Sequence, residues 1–430
     1  MKAEALSPRR LAARAAMWWP LLLLWPAWYD KHPLLFGLRD LETALWLVLP
    51  CWTLWRWRRT PLVTRGLLVA LLLLVGGQEA VWHGQRAAVL AAGPAARAVG
   101  PHFIVGYTDF AEVAELAEKG LIGGIYLTRR NVRGRSLADV QAEIAALQAR
   151  RRAAGLPPLI VAADQEGGTV NHLSPLLAAM PPLATLAGTA DPGAAARRYG
   201  EAQGKALAAL GVTLNLAPVV DLKPLTRPEG DRFSNIPARA ISDDPARVSV
   251  IAAAYLDGLA SHGVRGALKH FPGLRRVSRD THLAAVRLNQ SPAAMAADWL
   301  PFRALAGHAD SALMLGHVVF AAIDAQRAAS HSPAVVAMLR RDWAYDGPLI
   351  TDDLNMGAVY DLGIGPVAAG SLAAGVDLIL VSYDPRQIYP AIDGAARALE
   401  QGEITAAGLK ESAGRLRRWP KLLPGGDGEP

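Results

Sequence analysis

The sequence predicts an α/β fold, a (β/α)8 barrel of the TIM type preceded by an N-terminal helical membrane anchor, and three observations carry that prediction. Beyond residue 100, short apolar runs rich in β-branched residues alternate eight times with alanine-rich helical stretches, the pattern of a parallel sheet covered by helices. Before residue 83 the chain holds three long apolar stretches. Charge and tryptophan divide at the same place: residues 1–100 carry 12 Lys/Arg against 5 Asp/Glu and 9 of the 12 Trp, while the rest carries 33 residues of each charge sign. The net charge of +7 therefore belongs entirely to the apolar N-terminal region. That is the composition of a membrane-interface segment, and it argues against nucleic acid as a partner.

The three apolar stretches are Ala15–Tyr29, Leu41–Trp55 and Gly66–Trp82, each near the lower limit of about 17 residues for crossing the hydrocarbon core. Pro20, Pro26 and Pro50 interrupt them, so one signal anchor with two buried amphipathic helices is the alternative reading. Arg9, Arg10 and Arg14 precede the first stretch, and Arg56, Arg58, Arg59 and Arg65 lie between the second and third. The positive-inside rule puts both clusters in the cytoplasm. Three crossings of the inner membrane then place everything after Trp82 in the periplasm or outside the cell. On this reading residues 1–83 form the anchor, 84–100 an Ala/Gly-rich helical or flexible linker, 101–423 the barrel and 424–430 a polar tail. The single cysteine, Cys51, permits neither an intrachain disulfide nor a cysteine-based metal site.

The eight strand runs are Phe103–Tyr107, Gly124–Thr128, Leu159–Asp164, Thr213–Asp221, Gly266–Phe271, Ala312–Val318, Leu349–Asp353 and Leu378–Tyr383. Helical stretches such as Leu137–Ala154, Ala246–His262 and Pro333–Trp343 separate them, and Ala406–Leu422 follows the last. Eight units favour a closed barrel over an open doubly wound sheet, which is the runner-up. In such barrels chemistry sits at the C-terminal strand ends. Those ends are polar in this chain: Asp164-Gln165-Glu166-Gly167-Gly168 after the third run, Asn215 to Asp221 in the fourth, Lys269-His270-Phe271-Pro272-Gly273 in the fifth, His317 in the sixth and Asp352-Asp353 in the seventh. Charged groups inside apolar runs are costly unless paired or used. One of them would pass for a structural ion pair; five rims together point to a site. Neither a ligand-spaced metal cluster nor a phosphate-binding G-x-x-x-x-G-K-[ST] loop occurs, so no metal and no cofactor are expected.

These segments, in this order, resemble glycoside hydrolase family 3, N-terminal-domain type, and in particular its single-domain bacterial β-N-acetylhexosaminidases. The likeness spans roughly residues 100–423. It includes Gly123 to Leu127, Arg239 six residues before Pro245, Leu300-Pro301-Phe302 and Ala368–Leu380, and is most specific where Lys269 to Gly273 is followed after six residues by Asp280-Thr281-His282. The resemblance implies a retaining hydrolase that releases terminal β-linked N-acetylhexosamine from glycans or peptidoglycan fragments, with an N-acetylglucosaminide as substrate. Asp352 would be the nucleophile, forming a glycosyl-enzyme intermediate, with Asp353 structural. His282 would be the acid/base with Asp280 as its partner, a task an imidazole can perform because it titrates near neutral pH. Asp164, His172, Arg239, Lys269 and His270 would bind the sugar, since carboxylates accept from hydroxyls while Lys and Arg donate.

Three features depart from the family. Two arginines usually follow its strand-three motif, one of them contacting sugar; Thr169 and His172 occupy those positions here. A His-Gly pair usually follows Pro272-Gly273, where this chain has Leu274-Arg275-Arg276 in the loop that must carry His282. The family's hexosaminidases are often soluble, whereas this chain starts with apolar stretches. A family 3 β-glucosidase or phosphorylase, and a non-catalytic carbohydrate-binding membrane protein, are the alternatives. The absence of a second α/β domain after residue 423 and the Asp280–His282 pair favour the hexosaminidase.

Overall fold

The computed structural model describes residues 18–28, 39–56, 61–224, 226, 231, 233–308 and 311–419. Arg9, Arg10, Arg14, Arg58, Arg59 and the 424–430 tail lie outside the described residues. The chain divides into two units, Met1–Ala87 and Ala88–Pro430.

In the first unit the apolar stretches form helices Leu21–Trp28, Arg39–Arg56 and Leu62–Leu90. Among the described residues only Leu62–Leu90 is long and apolar enough to cross a membrane, with mean hydropathy 1.5 over its best 18 residues. The 18-residue helix Arg39–Arg56 has Pro50 within it. The proposed linker is helical: Leu62–Leu90 runs on through it, and Pro94–Val99 follows.

In the second unit eight parallel strands match the eight predicted runs: β1 (Phe103–Gly106), β2 (Gly124–Leu127), β3 (Ile160–Ala163), β4 (Leu214–Asn215), β5 (Gly266–Phe271), β6 (Ser311–Leu315), β7 (Leu349–Thr351) and β8 (Ile379–Val381). They pair in the orders β8-β1-β2-β3-β4 and β7-β6-β5. Single bridges Leu214↔Arg265 and Ile350↔Leu378 link β4 to the start of β5 and β7 to the start of β8. The fourth run is shorter than predicted. Pro218 has no N–H to give a ladder, so pairing stops at Asn215 and resumes only as a bridge between Val219 and Lys269.

One buried cluster takes a side chain from every strand: Ile104, Tyr126, Ala162, Leu214, Ala267, Met314, Ile350 and Leu380 belong to it, together with Trp419. Helices between the strands start where the sequence offers a cap. Asp191 accepts from Ala194 N–H before Pro192–Leu210, Ser136 and Asp139 form a capping box before Leu137–Ala153, and Asp244 caps Pro245–Ala260. At the N-terminal strand ends, fully buried Asp377 accepts from Arg340 (2.6 Å), Arg415 (2.8 Å), Ser412 Oγ (2.6 Å) and Leu349 N–H (2.8 Å). That end holds the structure together; the opposite end carries the polar residues singled out above.

Candidate active site

Four charged side chains, two from the segment after β3, one from the segment after β4 and one from β5, form a buried web at the C-terminal strand ends. Asp164, just past β3, accepts from Lys269 Nζ of β5 at 2.6 Å. Lys269 also reaches Glu166 at 2.6 Å. Glu166 in turn takes a two-pronged contact from Arg239, Nε at 2.9 Å and a terminal nitrogen at 2.7 Å. Burial alone would push the Asp164 and Glu166 carboxyls up; for Glu166 the charges of Arg239 and then Lys269 outweigh it, for Asp164 those of Lys269 and His172, and both stay ionised below the usual carboxylate range. His270 joins through its Nε2, 3.4 Å from a terminal nitrogen of Arg239, and is held by Asp221, which receives its Nδ1–H at 2.7 Å and its backbone N–H at 3.0 Å.

The backbone brings His172 back over this web. Gln165–Gly167 pairs antiparallel with Val170–Asn171, and His172 N–H donates to the Asp164 carbonyl at 3.0 Å. The turn requires Gly167, whose φ is +92° and whose place leaves no room for a Cβ, since one would stand 2.2 Å from Tyr199 OH. Tyr126 OH lies 2.7 Å from Asp164 Oδ2 and 2.9 Å from His172 Nδ1. An ionised carboxylate only accepts, so the tyrosine proton goes to Asp164 and the Nδ1–H of His172 must donate to the tyrosine oxygen. Burial lowers the His172 pKa, which leaves its Nε2 a hydrogen-bond acceptor. The guanidinium expected at this position could only have donated.

Asp280 and His282 form a second cluster joined to the first. Asp280 is buried and accepts from Phe233 N–H (2.7 Å), Ser234 N–H (3.2 Å), Ser234 Oγ (2.7 Å), His282 N–H (2.9 Å) and His282 Nδ1 (2.9 Å). Burial opposes its charge, but these donors hold the carboxyl well below the usual range. Arg239 donates to the Ser234 carbonyl at 2.7 Å, tying the clusters together. The loop with Leu274-Arg275-Arg276 is docked: Leu274 N–H donates to Asp221 at 2.8 Å, Arg276 pairs with Asp298 at 3.0 Å, and Gly357 N–H donates to the His282 carbonyl at 2.8 Å. A Cβ on Gly357 would collide with that carbonyl at 2.8 Å, so glycine permits the close approach.

Among the described residues Asp352 makes no side-chain hydrogen bond to either cluster, yet His270 and His282 from them, with His317, act on its charge. Burial would raise its pKa; the charges of His270, His317 and His282 outweigh that and lower it, keeping a carboxylate ready to act as a nucleophile. Asp353 points away, accepting from Asn355 N–H (3.0 Å), Ser382 N–H (3.2 Å), Ser382 Oγ (2.5 Å) and Tyr383 N–H (3.1 Å). Burial raises its pKa to about 6 despite these donors. His317 Nε2–H donates to the Asp353 carbonyl at 2.9 Å while Ser330 Oγ lies 2.8 Å from its Nδ1, so it props the backbone carrying both aspartates.

All eight site residues expected from the sequence therefore meet at one end of the strands. The sequence reading did not include Tyr126, Glu166, Asp221, Ser234 or His317 among them. Glu166, Asp221 and His317 were visible as rim residues without a role; Tyr126 reads as an ordinary core residue of an apolar run, and nothing marks Ser234. Among the described residues no group of three or more His, Cys, Asp or Glu could hold a metal ion. A surface depression of about 280 Å³ lined by Glu115, Glu118, Lys119 and Arg150 lies on the outer helices, where the charges pair with one another.

Residues 98–419 match the model of the glycosyl hydrolase family 3 N terminal domain. A β-hexosaminidase of Xylella fastidiosa (strain M12) is 33% identical over 301 residues, covering 68% of this chain and 85% of that protein. The solved structure of a family 3 β-N-acetylglucosaminidase from Paenibacillus sp. superimposes with TM-score 0.70 at 28% identity, over 77% of this chain and 65% of that one. That of NagZ from Neisseria gonorrhoeae, in complex with N-trifluoroacetyl-D-glucosamine, does so with TM-score 0.63 at 29% identity, over 75% and 91%.

Proposed function

The chain belongs to glycosyl hydrolase family 3 and is a glycosidase, and from that premise we propose that it is a retaining β-N-acetylhexosaminidase working through Asp352 and His282. What supports this is that the charges of His270, His317 and His282 act on Asp352 and keep it ionised, with the His282 Nδ1 held 2.9 Å from Asp280. In the first step Asp352 attacks the anomeric carbon and the bond to the leaving oxygen breaks as His282 Nε2 gives that oxygen a proton. Water then attacks the glycosyl ester, His282 takes the proton, and Asp352 departs with the bonding electron pair. Asp164, His172, Arg239, Lys269 and His270 bind the sugar; terminal N-acetylglucosamine of glycans or peptidoglycan fragments is the substrate class.

The eight strands close into a (β/α)8 barrel, supported by the two linking bridges and by the single core to which every strand contributes. Helix Leu62–Leu90 anchors the enzyme in the inner membrane. Arg65 near its start, following Arg56, Arg58 and Arg59, keeps that end cytoplasmic and puts the catalytic unit outside.

The test is turnover of the purified full chain on matched activated β-glycosides. An N-acetylglucosaminide should be hydrolysed in preference to the glucoside, and without dependence on phosphate. Asp352→Asn should abolish turnover and prevent labelling by a mechanism-based fluorosugar. A preference for glucoside, or a variant with more than a small fraction of wild-type turnover, contradicts the proposal.

A further inference from the structure

The geometry points to Phe233 as the binding platform for the leaving-group sugar, the first pyranose beyond the bond that is cut. Phe233 is 55% exposed, and its ring lies beside the His282 imidazole, centroids 5.9 Å apart and planes tilted by 38°. A lone exposed phenylalanine is ordinary on a protein surface, so exposure does not carry the inference. Placement does. The N–H groups of Phe233 and Ser234 both donate to Asp280, the carboxylate that holds His282 Nδ1, so Phe233 and the imidazole are fixed to one anchor. With Nδ1 committed to Asp280, only Nε2 is left to meet a leaving oxygen. The group attached to that oxygen must then continue past the imidazole, where the phenyl ring stands. A pyranose presents an apolar face of C–H groups, which packs on an aromatic ring and removes both from water. Tyr383, another exposed aromatic, is tethered elsewhere: its backbone N–H donates to Asp353 at 3.1 Å, at the end of β7, rather than to Asp280. The chain thus separates an aromatic platform for the leaving sugar from a polar web for the sugar released.

This inference rests on His282 being the acid/base, and the experiment keeps the two apart. Phe233→Ala is compared with wild type on N,N'-diacetylchitobiose, whose leaving group is a sugar, and on N-acetylglucosaminyl fluoride, whose leaving group is one atom. The kcat/KM for the disaccharide should fall about tenfold, mainly through KM, the scale of one aromatic contact. The fluoride should change less than twofold, and Phe233→Tyr should restore the disaccharide. In parallel, calorimetry in the Asp352→Asn background should show disaccharide affinity falling about tenfold with Phe233→Ala while N-acetylglucosamine affinity stays put. Equal losses on both substrates would reduce Phe233 to a tether of the loop, and no loss on either would overturn the platform. If His282→Ala proves insensitive to the leaving group, the acid/base reading fails, while the calorimetric contrast still decides Phe233.

Discussion

Replacing Glu166 by Gln tests the buried charge web most sharply. Glu166, Arg239 and Lys269 are 6%, 7% and 3% exposed, and Asp164 is 20% exposed. The four groups sum to zero charge, and Glu166→Gln leaves them at +1 with the shape nearly preserved. Gln offers one acceptor oxygen where two carboxylate oxygens now take Arg239 Nε at 2.9 Å, Arg239 again at 2.7 Å and Lys269 at 2.6 Å. Breaking a buried pair by removing one partner costs about 3–5 kcal/mol. Asp164 still holds Lys269 at 2.6 Å, so the lower end, about 3 kcal/mol, is expected, or a factor of roughly 150 in the folding equilibrium. The pH dependence carries the sign. The Glu166 pKa lies below its ordinary 4.5, burial being outweighed by Arg239 and Lys269. Its contribution is therefore complete above pH 4.5 and is lost as pH falls through the lower folded-state value. Parallel urea titrations of the detergent-solubilised proteins, followed by tryptophan emission, should show a large gap between wild type and variant at pH 7 that narrows toward pH 3. A gap that does not narrow as the pH falls below 4.5 would refute the electrostatic reasoning.

His282→Ala should lower kcat/KM by about 10²–10⁴ on glycosides with poor leaving groups and much less on activated aryl glycosides, with Asp280→Ala milder in the same direction. Equal losses across a leaving-group series would move His282 from proton transfer to binding. His172→Leu removes the Nε2 acceptor and should raise KM about fivefold with kcat nearly unchanged, as for one neutral hydrogen bond; a fall in kcat alone would place His172 in the transition state. Because burial lowers the His172 pKa below 6.5, that KM effect should be constant above pH 6.5. Asp377→Asn disturbs the contacts to Arg340 and Arg415 at the far strand ends and should cost about 3 kcal/mol of stability while the folded fraction keeps wild-type kcat. Alkaline phosphatase fused after Ala92 should be active and green fluorescent protein at that position dark; the reverse would place the catalytic unit in the cytoplasm.

The sequence by itself determined the eight strands, because each is a short apolar run whose residues could only be buried. Asp352 stood out as charge at the end of such a run, while Asp280 and His282 were marked by their spacing after Lys269 to Gly273, which carries the family resemblance that implies their roles. The apolar N-terminal region was equally legible, its three stretches reappearing as helices Leu21–Trp28, Arg39–Arg56 and Leu62–Leu90. Only the tertiary structure decided how the polar residues share their work. Asp221 and Asp353 carry the same side chain as Asp352, and a sequence cannot tell that backbone and imidazole donors occupy the first two while Asp352 faces three histidines. Glu166 is separated from Arg239 by 73 positions, a pairing fixed only when two loops meet above the strands. The tautomer of His172 is set by Tyr126 from a neighbouring strand. Hydrophobic pattern is local and can be read along the chain; the pairing of buried charges acts over a few ångströms in space, between residues the chain keeps far apart.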